Sequence, residues 1–232
     1  MSMPTEIRAD FDTVEIVDTD RIDWIASPAG GVDRKPLDRI GGEVARATSL
    51  VRYAPGSDFP THVHSGGEEF LVVEGIFSDE HGDFSPGTYV RNPVGTSHAP
   101  SSKDGCVILV KLWQFQGGDT APVTIDTMSA DWQSSGQGVE CLPLHRFGEE
   151  EVSMLRLTEG GSHQIPGEAG GTELYVMSGE TEANGAPVPQ SGWARFPAGE
   201  AVTLSAPGAA TLYLKTGHLK GPISGPATGA GS

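Results

Sequence analysis

Apolar residues in this chain come in short runs broken by glycine, with no long stripe of helical period. "FLVVEGIF" (Phe70 to Phe77), "GCVILVKLWQF" (Gly105 to Phe115) and "LYVMSGE" (Leu174 to Glu180) are runs of strand length, rich in β-branched and aromatic residues. Between them, "SDEHGD" and "EANGAPVPQSG" carry the turn chemistry of hairpins. The pattern predicts an all-β chain of many short strands, built as a two-sheet barrel or sandwich.

The pattern also repeats. "VRYAPGSDFPTHVHSGGEEFLVVEG" (Val51 to Gly75) pairs without a gap with "LRLTEGGSHQIPGEAGGTELYVMSG" (Leu155 to Gly179) at an offset of 104 residues. Arg52 meets Arg156, Gly66 and Gly67 meet Gly170 and Gly171, Glu69 meets Glu173, and Gly75 meets Gly179. "GTYVRNPVGTSH" (Gly87 to His98) pairs with "GWARFPAGEAV" (Gly192 to Val202) after a one-residue adjustment, matching Pro93 with Pro197 and Gly95 with Gly199. Two copies of one β unit are therefore expected: residues 1–135 as an N-terminal domain, 136–220 as a C-terminal domain, and 221–232 as a disordered tail. Residues 116–138 read as the linker, and the first 45 residues as edge strands or a cover segment with Trp24 as an apolar anchor.

Composition narrows the function classes. Gly (32) and Pro (17) suit a turn-rich β protein. A formal charge of −16 argues against nucleic acid and anionic membrane surfaces as partners, since phosphate binding needs a basic footprint. Met1 to Asp20 has no apolar signal core and no run is long enough to span a bilayer, so a cytoplasmic location is expected. Cys106 and Cys141 sit in unlike contexts and read as buried thiols.

The chemistry concentrates in "THVHSGGEEF" (Thr61 to Phe70), which holds two of only seven histidines. On a strand, positions i and i+2 share a face, so His62 and His64 point together. A glutamate after the glycine pair and His98 at the end of "PVGTSH" could complete a set of nitrogen and carboxylate donors for zinc, iron(II) or manganese. The second copy acts as an internal control: Pro166, Glu168, Thr172 and Val202 stand where His62, His64, Glu68 and His98 stand in the first. All four donors are missing together, which suggests that they act as one set and that the second copy lacks the site. Glu69 keeps its partner Glu173 in the copy without the set, so Glu68 is the expected ligand and Glu69 a structural residue. Tyr53, Glu74, His81, Tyr89, Arg91 and Lys111 are candidates for groups beside the metal, with His81 read as a solvated turn residue. His163 is expected to be structural and His218 to lie on the surface.

These segments resemble the two cupin motifs. Gly56, His62, His64, Glu68 and Gly75 have the spacing of the first motif, and Gly87, Pro93, Gly95 and His98 that of the second, with Ser102 replacing the usual final asparagine. Residues 15–115 resemble in particular the cupin domain of ChrR-type anti-sigma factors, and the whole chain looks like a bicupin of that group. The resemblance implies two tandem double-stranded β-helix barrels and one divalent ion per chain, zinc as isolated or else iron(II) or manganese, held by three histidines and a glutamate. It also implies a metal-binding module that senses or binds a small molecule or oxidant and acts through a protein partner in stress signalling; a homo-oligomer is expected. The cysteine- and histidine-built sigma-binding module of that group has no counterpart here, as no cysteine precedes Cys106. The alternative is an iron(II) dioxygenase acting on a diketone or hydroxyacetophenone-like substrate, and the residues leave the choice open.

Overall fold

The computed structural model describes residues 4–27, 30–221 and 223–226. The chain divides into two compact units. One takes the segment up to Ala9, Asp23–Ser129 and the segment from Ser224; the other takes Asp10–Ile22 and Ala130–Ile223. The described residues are almost wholly strand and turn, and none of their helices is long and apolar enough to cross a membrane.

In the first unit the larger sheet runs, in spatial order, Glu6–Ile7, Val32–Gly41, Ala45–Tyr53, Cys106–Leu112, Glu68–Gly75, Thr88–Asn92 and Val123–Asp126, with Ile25–Ala26 added on Val32–Gly41. A second sheet is formed by Gly82–Phe84, Phe77–Asp79, Ser101–Ser102 and Ser57–Asp58, and the short pair His62–Val63 and Ser97–His98 stands beside it. Between the sheets lie Val32, Val51, Phe70, Val72, Phe77, Phe84, Val90, Ile108 and Val110. Strand alternation thus turns the residues on either side of these positions, such as Glu69, Tyr89 and Arg91, to the opposite face. Phe77 anchors the interior, with rings of Tyr53, Phe70, Phe84 and His98 all within 6.2 Å of it.

The second unit repeats this order: Gln133–Ser134, Val139–Phe147, Glu150–Leu157, Ala210–Thr216, Thr172–Ser178, Gly192–Phe196 and Glu15–Asp18. Its second sheet joins Ser162–Ile165, Val202–Ser205, Thr181–Ala183 and Ala186–Val188, and Asn184 and Gly185 turn the last hairpin with positive φ, as an Asn-Gly pair does at low cost. Its interior apolar cluster includes Leu157, Ile165, Leu174 and Val202.

Three expectations change. The stretch read as a linker contains two strands, because Val123 and Ile125 alternate with polar residues well enough to extend the first sheet, and Gln133–Ser134 extends the second. Glu15–Asp18 closes the sheet of the second unit by pairing with Gly192–Phe196, a partnership across most of the chain that no local pattern announces. His218 is not on the surface: its side chain is 2% exposed and Nε2 lies 3.0 Å from Glu173 Oε2. Of the tail, Gly225 lies against Ile40, while residues 222 and 227–232 are outside the described residues. Cys106 is buried and Cys141 partly so, and neither forms a disulfide.

Candidate metal centre

Two local devices bring the histidines together. His62 and His98 are directly opposed across the short strand pair. The turn Pro93–Thr96, with Gly95 at φ 89°, is stitched to His64 by Gly95 N donating to His64 O (3.0 Å) and His64 N donating to Thr96 O (2.8 Å). Glu68 enters from the larger sheet after Gly66 and Gly67, and the need for glycine there is steric: a Cβ on Gly66 would collide with the Trp113 ring, and one on Gly67 with Phe115. The second unit uses the same device where no ligands stand, since a Cβ on Gly171 would collide with Leu219. The glycine pair therefore belongs to the fold, not to the site.

His62, His64, Glu68 and His98 form a group whose potential ligand atoms all lie within 4.8 Å of one another. His64 Nε2 and His98 Nε2 are 3.4 and 3.5 Å from Glu68 Oε2. Two donors each about 2.1 Å from one ion at a tetrahedral angle are about 3.4 Å apart, so these separations suit a shared divalent ion. His64, Glu68 and His98 are buried, whereas His62 is exposed and marks the side open to solvent.

Hydrogen bonds behind the rings settle their tautomers. The Thr96 hydroxyl donates to the Pro93 carbonyl (2.7 Å), leaving its oxygen to accept from His64 Nδ1–H (2.9 Å). His98 Nδ1–H donates to the Asp79 carboxylate (3.2 Å). Both Nε2 lone pairs are then turned toward Glu68, and buried His64 Nε2 has no hydrogen-bond partner. Such outer partners fix ring orientation and raise donor strength in metal sites. An orphaned nitrogen beside a buried carboxylate fits a cation better than any alternative the neighbouring side chains offer.

The electrostatics agree. Burial, with His98 and His62 adding to it, pushes the His64 imidazole down to about 3, and burial with His62 pushes His98 down to about 4. Burial raises Glu68 to about 7, a hydrogen bond from Asn92 Nδ2 (3.3 Å) opposing the shift and the charge of Asp79 adding to it. The short His–Glu contacts are therefore not ion pairs near neutral pH, since burial disfavours charge on both partners. The imidazoles are already neutral donors, and the carboxyl exchanges its proton in the physiological range.

The other candidate residues divide by face. Glu69 points away from the group and accepts from Arg91, which also donates to Asp119. Lys111 donates to Thr48 Oγ1 (3.0 Å) on that same far face, and Tyr89 shares it. Glu74 and His81 are exposed. Only Tyr53 turns inward, packed edge-on against Phe59 and Phe77, so Tyr53, Tyr89 and Arg91 do not converge beside the donors. Thr96 and Asp79 are the supporting residues that sequence reasoning passed over. Their signal was position, Thr96 two residues before His98 and Asp79 in the hairpin "SDEHGD". In the second unit Thr172 and Val202 are buried at the matching places while Pro166 and Glu168 are exposed.

Comparison with known proteins places this architecture. A family model for the ChrR cupin-like domain matches residues 12–116 and, a second time, residues 120–220. No curated protein sequence matches the chain. Similar solved structures include a proposed dioxygenase from Nostoc punctiforme, with a TM-score of 0.75 and 13% identity over 93% of this chain and 86% of that one. They also include the bacterial pirin YhhW of Escherichia coli in complex with nickel(II), with a TM-score of 0.65 and 14% identity over 91% of this chain and 100% of that one. At such identities the likeness establishes the fold alone. With the family model matched twice and both units built to one topology, this chain belongs to the ChrR cupin-like family as a bicupin.

Proposed function

We propose that the first barrel holds one divalent metal ion on His62, His64, Glu68 and His98 and serves as a binding or sensing module for a small molecule or oxidant, passing its state to a protein partner. The observation that carries this reading is the donor array itself: two imidazoles held as Nδ1–H tautomers by Thr96 and Asp79, with Nε2 directed at a buried carboxylate. A bound ion would supply a Lewis-acid position for an oxygen donor of the ligand. Around it this chain's residues orient and exclude: Asn92 steadies Glu68, the rings of Phe77 and Tyr53 wall the inner side, and exposed His62 leaves one approach. A binding role is favoured over dioxygenation because Tyr89 and Arg91, which could have served a reacting substrate, lie on the far face of the sheet.

The test is elemental analysis of protein purified anaerobically, followed by oxygen uptake by the iron(II) form with a panel of diketones and hydroxyacetophenones. The expected result is one tightly held ion per chain, zinc first among the candidates, and no uptake that depends on the added compound. Compound-dependent uptake would replace this reading with the dioxygenase.

Metal binding should also report the Glu68 proton. A carboxyl that titrates at about 7 must lose its proton to the ion, whereas the histidines compete only near their own values of about 3 and 4. Apparent affinity should therefore fall about tenfold per pH unit below about 7 and level off above it. Calorimetry in two buffers of different ionisation enthalpy should show close to one proton released per ion at pH below that value and almost none well above it. Release unchanged across the range would show that Glu68 is not the displaced acid.

A further inference from the structure

The strand Val32–Gly41 carries two arginines whose setting the metal reading leaves unexplained. Arg34 is paired across the sheet with Val51, a residue of the barrel interior, and so shares its face. The register shifts between Pro36 and Asp38, which admits one extra residue and reverses the alternation. Arg39 consequently pairs with Ala47, Ala47 with Leu112, and Leu112 with Glu68. Five positions apart, Arg34 and Arg39 thus both face inward, and Arg39 belongs to the same inner layer as the candidate ligand Glu68.

Neither guanidinium meets a carboxylate among the described residues. Arg34 donates to Ser27 Oγ and Arg39 to the Gly42 carbonyl, while Arg39 Nε is buried without a hydrogen-bond partner. Two half-buried arginines on one face of the strand with no carboxylate partner among the described residues, Arg39 reaching the exposed Gly42 turn, are unusual in a chain of net charge −16, because carboxylates to pair with them are abundant. Burial lowers the pKa of both arginines, the charge of Arg34 adding to the effect on Arg39, so the two sense one another. Tyr53 is raised by burial first, then by Glu68, with Arg34 opposing, and it therefore stands within electrostatic reach of both the ligand set and the arginine.

The second unit again acts as a control. By strand register, Cys141 pairs with Leu155 as Arg34 pairs with Val51, and the same bulge follows Pro143 as follows Pro36. Arg146 stands where Arg39 stands, but its cross-strand partner is Glu151 in place of Ala47, and the two form an ion pair at 3.3 Å. Tyr53 is replaced by Leu157. The unit without the four donors thus has no arginine at the Arg34 position, an exposed arginine paired with a glutamate at the Arg39 position, and no tyrosine at the Tyr53 position.

We propose that Arg34 and Arg39, with Tyr53 beside them, form an anion subsite in the first barrel that holds the carboxylate of a small organic acid whose other end faces His62, His64, Glu68 and His98. Guanidinium groups suit this task because their donors match a carboxylate in pairs, and the rings of Tyr53, Phe59 and Phe77 offer an apolar wall to the body of such an acid. The proposal rests on the reading of this barrel as a ligand-binding module, and it specifies the ligand as an anion.

Calorimetry of zinc-loaded protein with benzoate and acetate as probes, and benzamide as the neutral analogue, tests it. Benzoate should bind and benzamide should not. Arg34→Gln and Arg39→Gln should each weaken benzoate by at least about tenfold, the double variant should abolish binding, and Arg52→Gln, on the outer face, should change nothing. Metal content and thermal midpoint, read on the same samples, show that each variant is folded and loaded. Failure of both benzoate and acetate to bind at millimolar concentration, or benzoate binding of wild-type strength in the double variant, overturns the subsite. Repeating the titration without metal separates the two readings: arginine-dependent binding by a protein that takes up no zinc keeps the subsite and overturns the metal centre.

Discussion

Replacing His64 by alanine is expected to bring the metal content of the purified protein from about one ion per chain to well under that, with affinity lowered by more than the about 10–100-fold that loss of an outer partner costs. Its Nε2 is one of two buried imidazole donors already oriented by a neighbour, so nothing nearby can take its place. Glu68→Gln should act similarly, because it keeps the shape and removes the charge that balances the ion. Glu69→Ala and His163→Ala are the controls and should leave about one ion per folded chain. Glu69 faces the other side of the sheet, and His163 lies in the Ser162–Ile165 strand of the second unit. Elemental analysis of gel-filtered protein reads all four variants. A folded Glu69→Ala protein stripped of metal would refute the assignment of Glu68.

Arg91→Met should have the opposite profile, a large loss of stability with metal content per folded chain unchanged. Arg91 is 1% exposed, donates to Glu69 and Asp119, and lies over the Phe115 ring at 4.1 Å. Without it two carboxylates remain close together in a buried setting, and breaking a buried charge network of this kind costs about 3–5 kcal/mol. For a protein of this size about 1 kcal/mol moves the midpoint by about 2–4 °C, so a fall of roughly 10 °C is expected. Thermal unfolding followed by circular dichroism measures it, and a variant as stable as wild type would rule out Arg91 as the neutralising charge. The second unit keeps this layer although the four donors have no counterpart in it: Arg195 is fully buried and Glu173 accepts from Trp193 Nε1 at 2.7 Å. The buried charges are a property of the fold and are separable from the site.

The repeat shows why some features were legible from residues alone. The glycines recur at fixed offset because each answers a backbone or steric demand that both units share, as at Gly67 and Gly171. Short-range spacing singled out His62 and His64 as a pair, whereas the strand ends at Val63 and the Pro93–Thr96 turn holds His64 in place. Comparison of the copies separated Glu68 from Glu69, and the structure places these two on opposite faces of one strand. The all-β class, the two tandem cupin units and the family follow from local patterns of this kind, repeated often enough to be unambiguous.

What the sequence could not reach depends on long-range register. Alternation shows that Tyr89 and Arg91 share a face without saying which, and only the packing of Val90 with Phe70 and Val110 turns them outward. Parity itself fails at the Pro36/Asp38 shift, so Arg34 and Arg39 face together against the period-two rule. The tautomers of His64 and His98 hang on Thr96 and Asp79, brought alongside by turns elsewhere in the barrel. Glu15–Asp18 joins its sheet through partners near residue 195. By itself the sequence determined the repeated strand-and-turn unit and the residue types in one copy able to hold a metal, because both are written in spacings of a few residues. The tertiary structure alone decided which face is interior, which bulge inverts it and which distant strand closes each sheet, because those choices are made by backbone hydrogen bonds and apolar packing between segments far apart in the chain.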